Sequence, residues 1–208
     1  MDTLSAPSRQ KAHRKTALLV GILFLSSTAT FAIGSSQLDV YFSGSHPITL
    51  LLTALALQVY TGLAVAGIGV ALLPLLQRQN PQLARAYLVL RVLECSTIIA
   101  ICAFMVLTKR QLEHDELLVY AFSGSSGMIL SNLLYRSGLA PRLLAQLGMV
   151  GYVVLLFAIP TALLGLVDIN VGWGTLFFVP GGLFELIFPL LLIFKGFQGV
   201  RAFYNSAR

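Results

Sequence analysis

The chain is predicted to be an all-α polytopic membrane bundle of six transmembrane helices, with both termini on the cytoplasmic side. Three observations predict it. The sequence is 57% hydrophobic and only 11% charged, where a soluble domain carries about 25% charged residues. Six segments, Ala17–Ile33, Ile48–Leu73, Tyr87–Leu107, Leu117–Tyr135, Leu143–Leu166 and Leu176–Phe194, are each long and apolar enough to cross a hydrocarbon core of roughly 30 Å as a helix. Most of the 14 basic residues then gather on one side: Arg9, Lys11, Arg14 and Lys15 before the first span, Arg78 and Arg85 at the second loop, Arg136 and Arg142 at the fourth, and Lys195, Arg201 and Arg208 after the last. The positive-inside rule turns that side to the cytoplasm and puts Asp39, Lys109–Glu116 and Asp168 outside.

The elements follow in order. Residues 1–15 read as a polar, basic, flexible cytoplasmic leader, 16–200 as the six-helix transmembrane domain, and 201–208 as a short cytoplasmic tail. A signal-peptide reading of the start competes, but the apolar run continues to Ile33, beyond a signal core of roughly 7–15 residues, so a retained first helix is expected. Gly34–Pro47 is expected to be an outer loop, with Tyr41 and Phe42 at the interface. The second span carries Gly62, Ala66, Gly67 and Gly69, small residues that let helix backbones approach. The third starts after Pro81. The fourth contains the small run Ser123–Gly127, and the fifth follows Pro141. The sixth opens with Pro180-Gly181-Gly182 and holds Pro189, where a kink or break is expected.

Composition excludes some classes. A formal charge of +6 suggests nucleic acid in a soluble protein, but these basic residues lie at membrane edges and can meet anionic lipid instead, so no nucleic-acid partner is expected. Cys95 and Cys102 are two helical turns, roughly 10 Å, apart on one helix and cannot bond to each other. They read as packing residues. No metal-ligand spacing is present, and neither a metal nor a cofactor is expected. Glu113-His114-Asp115-Glu116 can hold a cation weakly, but a solvated loop is the simpler reading.

Lipid penalises the polar exceptions to these spans, chiefly Arg91, Glu94, Asn132 and Glu185, so each is expected to be paired inside the bundle or put to use. At 1.5 Å per residue from the nearest basic edge, Arg91 lies roughly 9 Å deep, Glu94 13 Å, Asn132 6 Å and Glu185 15 Å. Three helices thus bring polar groups to similar levels. Arg91 and Glu94, three apart, can pair on one face, and Tyr87, Cys95 and Ile98 share that stripe. Gly181 stands one turn before Glu185 and leaves room for a partner helix or a small guest. The stripe Ser125, Met128, Asn132 and Tyr135 is expected to face the same cavity. With one guanidinium and two carboxylates, the expected state is one ionised Glu held by Arg91 and one Glu that carries or readily takes a proton.

Three functions fit this cluster. It can bind or sense a proton or small solute, with Glu185 titrating, Arg91 as counter-charge, Glu94 as competing partner and Asn132 as hydrogen-bond donor. It can be a buried ion pair that only locks helix packing in a structural or regulatory protein. Third, it can serve an intramembrane lipid-modifying enzyme. No catalytic residue is assigned: His13, His46 and His114 fall in the leader or outer loops, and Ser123, Ser125 and Ser126 lack an evident base. A binding site requires a cavity reaching the cluster from the cytoplasm, whereas a lock requires direct Arg–Glu contact without one. The small residues of the second helix permit a homo-oligomer without requiring it.

Ala86–Glu94 (AYLVLRVLE), Leu133–Arg142 (LLYRSGLAPR) and Pro180–Phe197 (PGGLFELIFPLLLIFKGF) together resemble a bacterial integral-membrane family catalogued as domain of unknown function 4386. The resemblance covers essentially the whole chain, and its last piece is the most specific. It implies six membrane helices in a bacterial cytoplasmic membrane and places Arg91, Glu94, Glu185, Lys195 and Gly196 in the family's motifs. The family supplies no agreed activity.

Overall fold

Among the described residues, 6–44, 46–112, 114–169 and 171–197 of a computed structural model, six α-helices and one short 3-10 helix carry the chain back and forth. The tail at 201–208 and Glu113, in the loop expected on the outside, lie outside the described residues. The helices are α1 (Ala6–Ser43), α2 (Ile48–Leu76), α3 (Pro81–Thr108), α4 (Asp115–Ser137), α5 (Arg142–Leu163) and α6 (Val179–Phe194), with a 3-10 turn at Gly172–Phe178 leading into α6. All six spans are long and apolar enough to cross a membrane, the 3-10 segment and α6 together forming the sixth. Leu19, Val70, Phe157, Leu163 and other large apolar side chains cover the outside. Such a surface is unsuited to water and suited to acyl chains.

Two boundaries differ from the sequence reading. Residues 6–15, assigned to a flexible leader, continue α1, and the expected loop at Gly34–Pro47 is helical as far as Ser43. The C-terminal end of α1 stays helical because its polar residues find partners on α2. Gln58 donates from Nε2 to Ser35 Oγ at 2.9 Å, and Leu38 is buried against Leu51, Ala54 and Leu55. The other boundaries follow local chemistry. Asn80 accepts from the amides of Gln82 and Leu83 and so caps α3, with Pro81 in its first turn. Gly138, at φ 64°, ends α4 in the left-handed conformation that glycine adopts at little cost. Pro189 sits inside a continuous α6 without breaking it.

Each helix packs against its neighbours in sequence, and α6 closes on α1, so the bundle is a ring. Within lipid the hydrophobic effect does little to hold helices together, so close packing and interhelical hydrogen bonds carry the association. Glycines set the approach. A Cβ on Gly21 would lie 2.9 Å from the carbonyl oxygen of Pro189, which marks where α1 meets α6. A Cβ on Gly151 would lie 2.4 Å from the backbone nitrogen of Gly181, where α5 meets α6. Hydroxyls add to the α1–α2 contact: Thr30 and Thr61 share a hydrogen bond of 2.7 Å, and Tyr60 donates to Ser26 Oγ at 2.8 Å. Arg14 donates to the carbonyl of Leu192 at 3.1 Å, fastening the start of α1 to the end of α6.

The main core, including Leu72, Leu76, Leu130, Leu134 and Leu192, fills the end of the ring that carries Arg14, Arg78 and Arg142. A smaller cluster around Leu38, Ile98 and Met105 lies toward the end that carries Asp39 and Asp115. The two ends are called the basic and the acidic end below.

The Gly151–Gly181 approach gives a direct test. Gly151→Ala should lower stability by about 1–3 kcal/mol, because backbone has to move to admit the methyl group. Gly182→Ala, within α6 where an added Cβ meets nothing within 4 Å, should leave stability unchanged or raise it by up to about 1 kcal/mol. Reversible unfolding in mixed micelles measures both.

Candidate functional site

Arg91 and Glu94 face inward from the middle of α3, and each is 3% exposed. Their three-residue spacing puts them on one helical face, where Arg91 Nη1 meets Glu94 Oε2 at 3.0 Å. The rest of the guanidinium is covered by aromatic groups in place of water. Its Nε donates to the Tyr87 hydroxyl at 3.2 Å, and its carbon stands 5.4 Å from the Tyr87 ring centre and 5.7 Å from that of Phe24 on α1. A ring face attracts a cation most strongly once both are out of water. Gly69 lets α2 approach at the same level: a Cβ there would lie 3.1 Å from the Cβ of Arg91.

Glu185 enters from α6 and is met by hydroxyls. Tyr152 on α5 donates to Oε1 at 3.1 Å, and Thr28 on α1 makes a longer contact to Oε2 at 3.5 Å. Gly127 on α4 makes room for that tyrosine, since a Cβ at Gly127 would fall 2.3 Å from its ring. Phe184 meets the Tyr152 ring edge-on at 5.7 Å and stacks on Phe188 at 5.1 Å, which in turn meets Phe24 edge-on. This aromatic chain holds Tyr152 and Phe24 on either side of the polar groups. Pro189 has no amide hydrogen, so the backbone carbonyl of Glu185 loses its usual helical donor at the same level.

Between these groups lies a chamber of about 360 Å³ lined by all six helices. Its polar wall includes Arg91, Glu94, Glu185, Tyr152, Ser123 and Thr61, and its apolar wall includes Phe24, Val65, Leu155 and Phe178. A second cavity of about 570 Å³, the vestibule, lies toward the acidic end and is lined by Asp39, His114, Asp115 and Glu116. The two share Phe31, Ser35, Ile98, Val119 and Tyr120 as common wall. Toward the basic end the fully buried Leu72, Leu76, Leu130, Leu134 and Leu192 pack beneath the chamber.

The structure therefore brings Arg91, Glu94 and Glu185 to one chamber and leaves Asn132 out. Asn132 is half-buried, and Met128 and Tyr135 on its stripe are 41% and 37% exposed on the outside of the bundle. Ser123 faces the chamber from α4. Asn132 follows it by nine residues, about two and a half turns, and so lies on the opposite face. It also lies roughly 13 Å further along α4 than Ser123, between Leu130 and Leu134 of the leucine core, so it differs from the cluster in level as well as in direction. The expected access also differs: the larger cavity adjoins the chamber on the acidic side, and the leucine core occupies the basic side. Direct Arg–Glu contact and a cavity, expected as alternatives, occur together.

The sequence reading passed over Tyr152, Thr28, Thr61 and Gln58. Tyrosine and threonine blend into an apolar span because half of each side chain is apolar. Gln58 was detectable by the rule that singled out Glu185, a strongly polar group within a membrane-crossing helix.

An apolar exterior and six helices long and apolar enough to cross a membrane, with ionisable side chains turned inward, define a multi-pass membrane protein. The family described as domain of unknown function (DUF4386) matches residues 16–116 and 103–196, and the chain belongs to it. Neither a curated protein nor a solved structure matches the chain.

The buried pair makes a prediction of its own. Arg91→Met should cost about 3–5 kcal/mol, because it leaves Glu94 without a counter-charge, while Arg91→Met with Glu94→Leu should recover most of that loss. A double-mutant cycle from unfolding in mixed micelles measures the coupling. Additive losses would show that the two side chains do not depend on each other.

Proposed function

We propose that the chain is a non-enzymatic membrane protein that binds or senses a proton or a small solute in the chamber, with Glu185 as the group that takes the proton. Arg91 is the internal positive charge, and Glu94 keeps it occupied. Tyr152 and Thr28 take the hydrogen-bonding role that the sequence reading gave to Asn132. The observation that carries this reading is the placement of Glu185: it lines a chamber of about 360 Å³ and is met by two hydroxyls, while the nearest guanidinium is bonded to another carboxylate. A carboxyl group between neutral partners can gain or lose a proton without breaking an ion pair, whereas Glu94 cannot. The reading sets the protein in a bacterial cytoplasmic membrane with the basic end, and both termini, toward the cytoplasm. The chamber would then communicate with the outside.

The competing reading, a helix lock, has support of its own. Glu185 on α6, Tyr152 on α5 and Thr28 on α1 tie three helices together. The Arg91–Glu94 pair serves that purpose poorly, because both residues sit on α3 and their bond fixes no register between helices.

Infrared difference spectroscopy across a pH step separates the two. The chain in lipid nanodiscs should show a carboxyl band that titrates, disappears in Glu185→Gln and shifts in Glu94→Gln. A band unchanged in Glu185→Gln contradicts the proton-site assignment. A Glu185→Gln variant with lowered stability and no change in any titrating band favours the lock.

A further inference from the structure

The seam between α1 and α6 is shut at the basic end and opens where it reaches the chamber. Arg14 is bonded to the Leu192 carbonyl at 3.1 Å, and a Cβ on Gly21 would lie 2.9 Å from the Pro189 carbonyl oxygen. Further along, Thr28 reaches Glu185 by the longer contact of 3.5 Å. The next residues on these antiparallel helices, one turn on in each, are Ala32 and Gly182. Both line the chamber, yet Ala32 is exposed, Gly182 is half-buried, and a Cβ on Gly182 would meet nothing within 4 Å. The chamber residues contributed by α2, α3 and α5 are by contrast all buried. The chamber therefore has a gap in its wall between α1 and α6.

The gap faces the side of the bundle. Phe31 of α1 meets the Tyr120 ring at 6.1 Å, and Tyr120 meets Phe178 at 5.2 Å, so a row of rings bounds the gap toward the vestibule. Ile33 and Leu183, beside Ala32 and Gly182 in the chain, are exposed on the apolar outside. In a membrane that surface meets acyl chains, so what enters here comes through lipid.

Charge decides what fits. Among the described residues Arg91 is the one basic side chain in the lining, and Glu94 neutralises it. Glu185 has hydroxyl partners and no cation, so its missing complement is a single positive charge carrying N–H donors. A permanent cation is costly in hydrocarbon, whereas an amine travels uncharged and becomes a cation at the site. The nitrogen lone pair takes the proton of the Glu185 carboxyl group, and the resulting ammonium and carboxylate stay paired. A chamber of about 360 Å³ lies within the roughly 300–1,000 Å³ of small-molecule sites.

We propose that the gap between Ala32 and Gly182 is a lateral entrance for a lipophilic amine, which binds with its nitrogen on Glu185 and its apolar body in the gap against Phe31, Tyr120 and Phe178. This rests on the reading of Glu185 as the group that takes a proton, and it names the class of solute.

Equilibrium dialysis of radiolabelled benzylamine against the full chain in lipid nanodiscs tests it, with nanodiscs lacking protein as the baseline. Saturable binding of one amine per chain is expected, with none for benzyl alcohol, which has the same body and no basic nitrogen. Glu185→Gln should weaken binding about tenfold or more, the scale of one charge-assisted hydrogen bond. Gly182→Trp and Ala32→Trp fill the gap from its two sides, where there is room for them, and should each abolish saturable binding. In both, the Glu185 carboxyl band should still titrate in the infrared, which shows that the bundle and the proton site are intact. Benzylamine binding no greater than to bare nanodiscs, with that band titrating, overturns the lateral entrance and leaves the proton reading standing. Binding undiminished in both tryptophan variants, or in Glu185→Gln, overturns it as well. A chain with no titrating band that depends on Glu185 overturns both readings together.

Discussion

A guanidinium held in the middle of a lipid-surrounded bundle is the constraint around which the other features arrange themselves. Removing a charge from water is costly, and in hydrocarbon nothing solvates it. Arg91 is accommodated by a carboxylate one turn away on its own helix, the Tyr87 hydroxyl, and two aromatic rings, one of them from α1. These partners dictate neighbours in turn. Phe24 has to face inward from α1, Phe188 packs on Phe24, and Phe184 and Tyr152 continue the aromatic chain to Glu185. One cation thus fixes the inner faces of α1, α3, α5 and α6 at a single level.

Glycine does the complementary work. Where side chains this large converge, backbones can meet only where a side chain is missing. Gly69 admits α2 beside Arg91, Gly127 admits the Tyr152 ring, and Gly151 meets Gly181 behind Glu185. The close contacts lie around the rim of the chamber. Their tightness is why the interior can hold about 360 Å³ without the ring collapsing onto it: the helices already touch at glycines and can come no closer.

Much of this was legible in the sequence because lipid imposes simple rules. Span length follows bilayer thickness, and the α2 to α5 boundaries lie within a few residues of those read from hydropathy or, for the start of α3, from Pro81. The Arg91–Glu94 pair followed from helical spacing alone, and Glu185 from its cost in hydrocarbon. What escaped depended on direction and on partners. The first span was ended near Ile33 because Gly34 and the polar Ser35 and Gln37 read as turn residues, yet Ser35 is bonded to Gln58 and Gln37 accepts from Thr53, so the helix continues. Asn132 lies further along α4 than the chamber-lining Ser123, between Leu130 and Leu134 of the leucine core, and points away from the cluster. Which end of the bundle adjoins open volume depended on where the leucines of four helices meet, a property no single helix reveals.

The proposed function follows from the same asymmetry. A leucine core closes the basic end, acceptors line the acidic end, and an ion pair with a separate carboxyl group occupies the level between. The most direct measurement is a diffraction structure of the chain grown in lipidic mesophase and refined far enough to place water. The account predicts ordered water or solute in the chamber, in hydrogen-bond contact with Glu185 and continuous with the vestibule, and Arg91 still paired to Glu94. A chamber closed by side chains, or a Glu185 carboxyl turned toward the acyl chains, would contradict it.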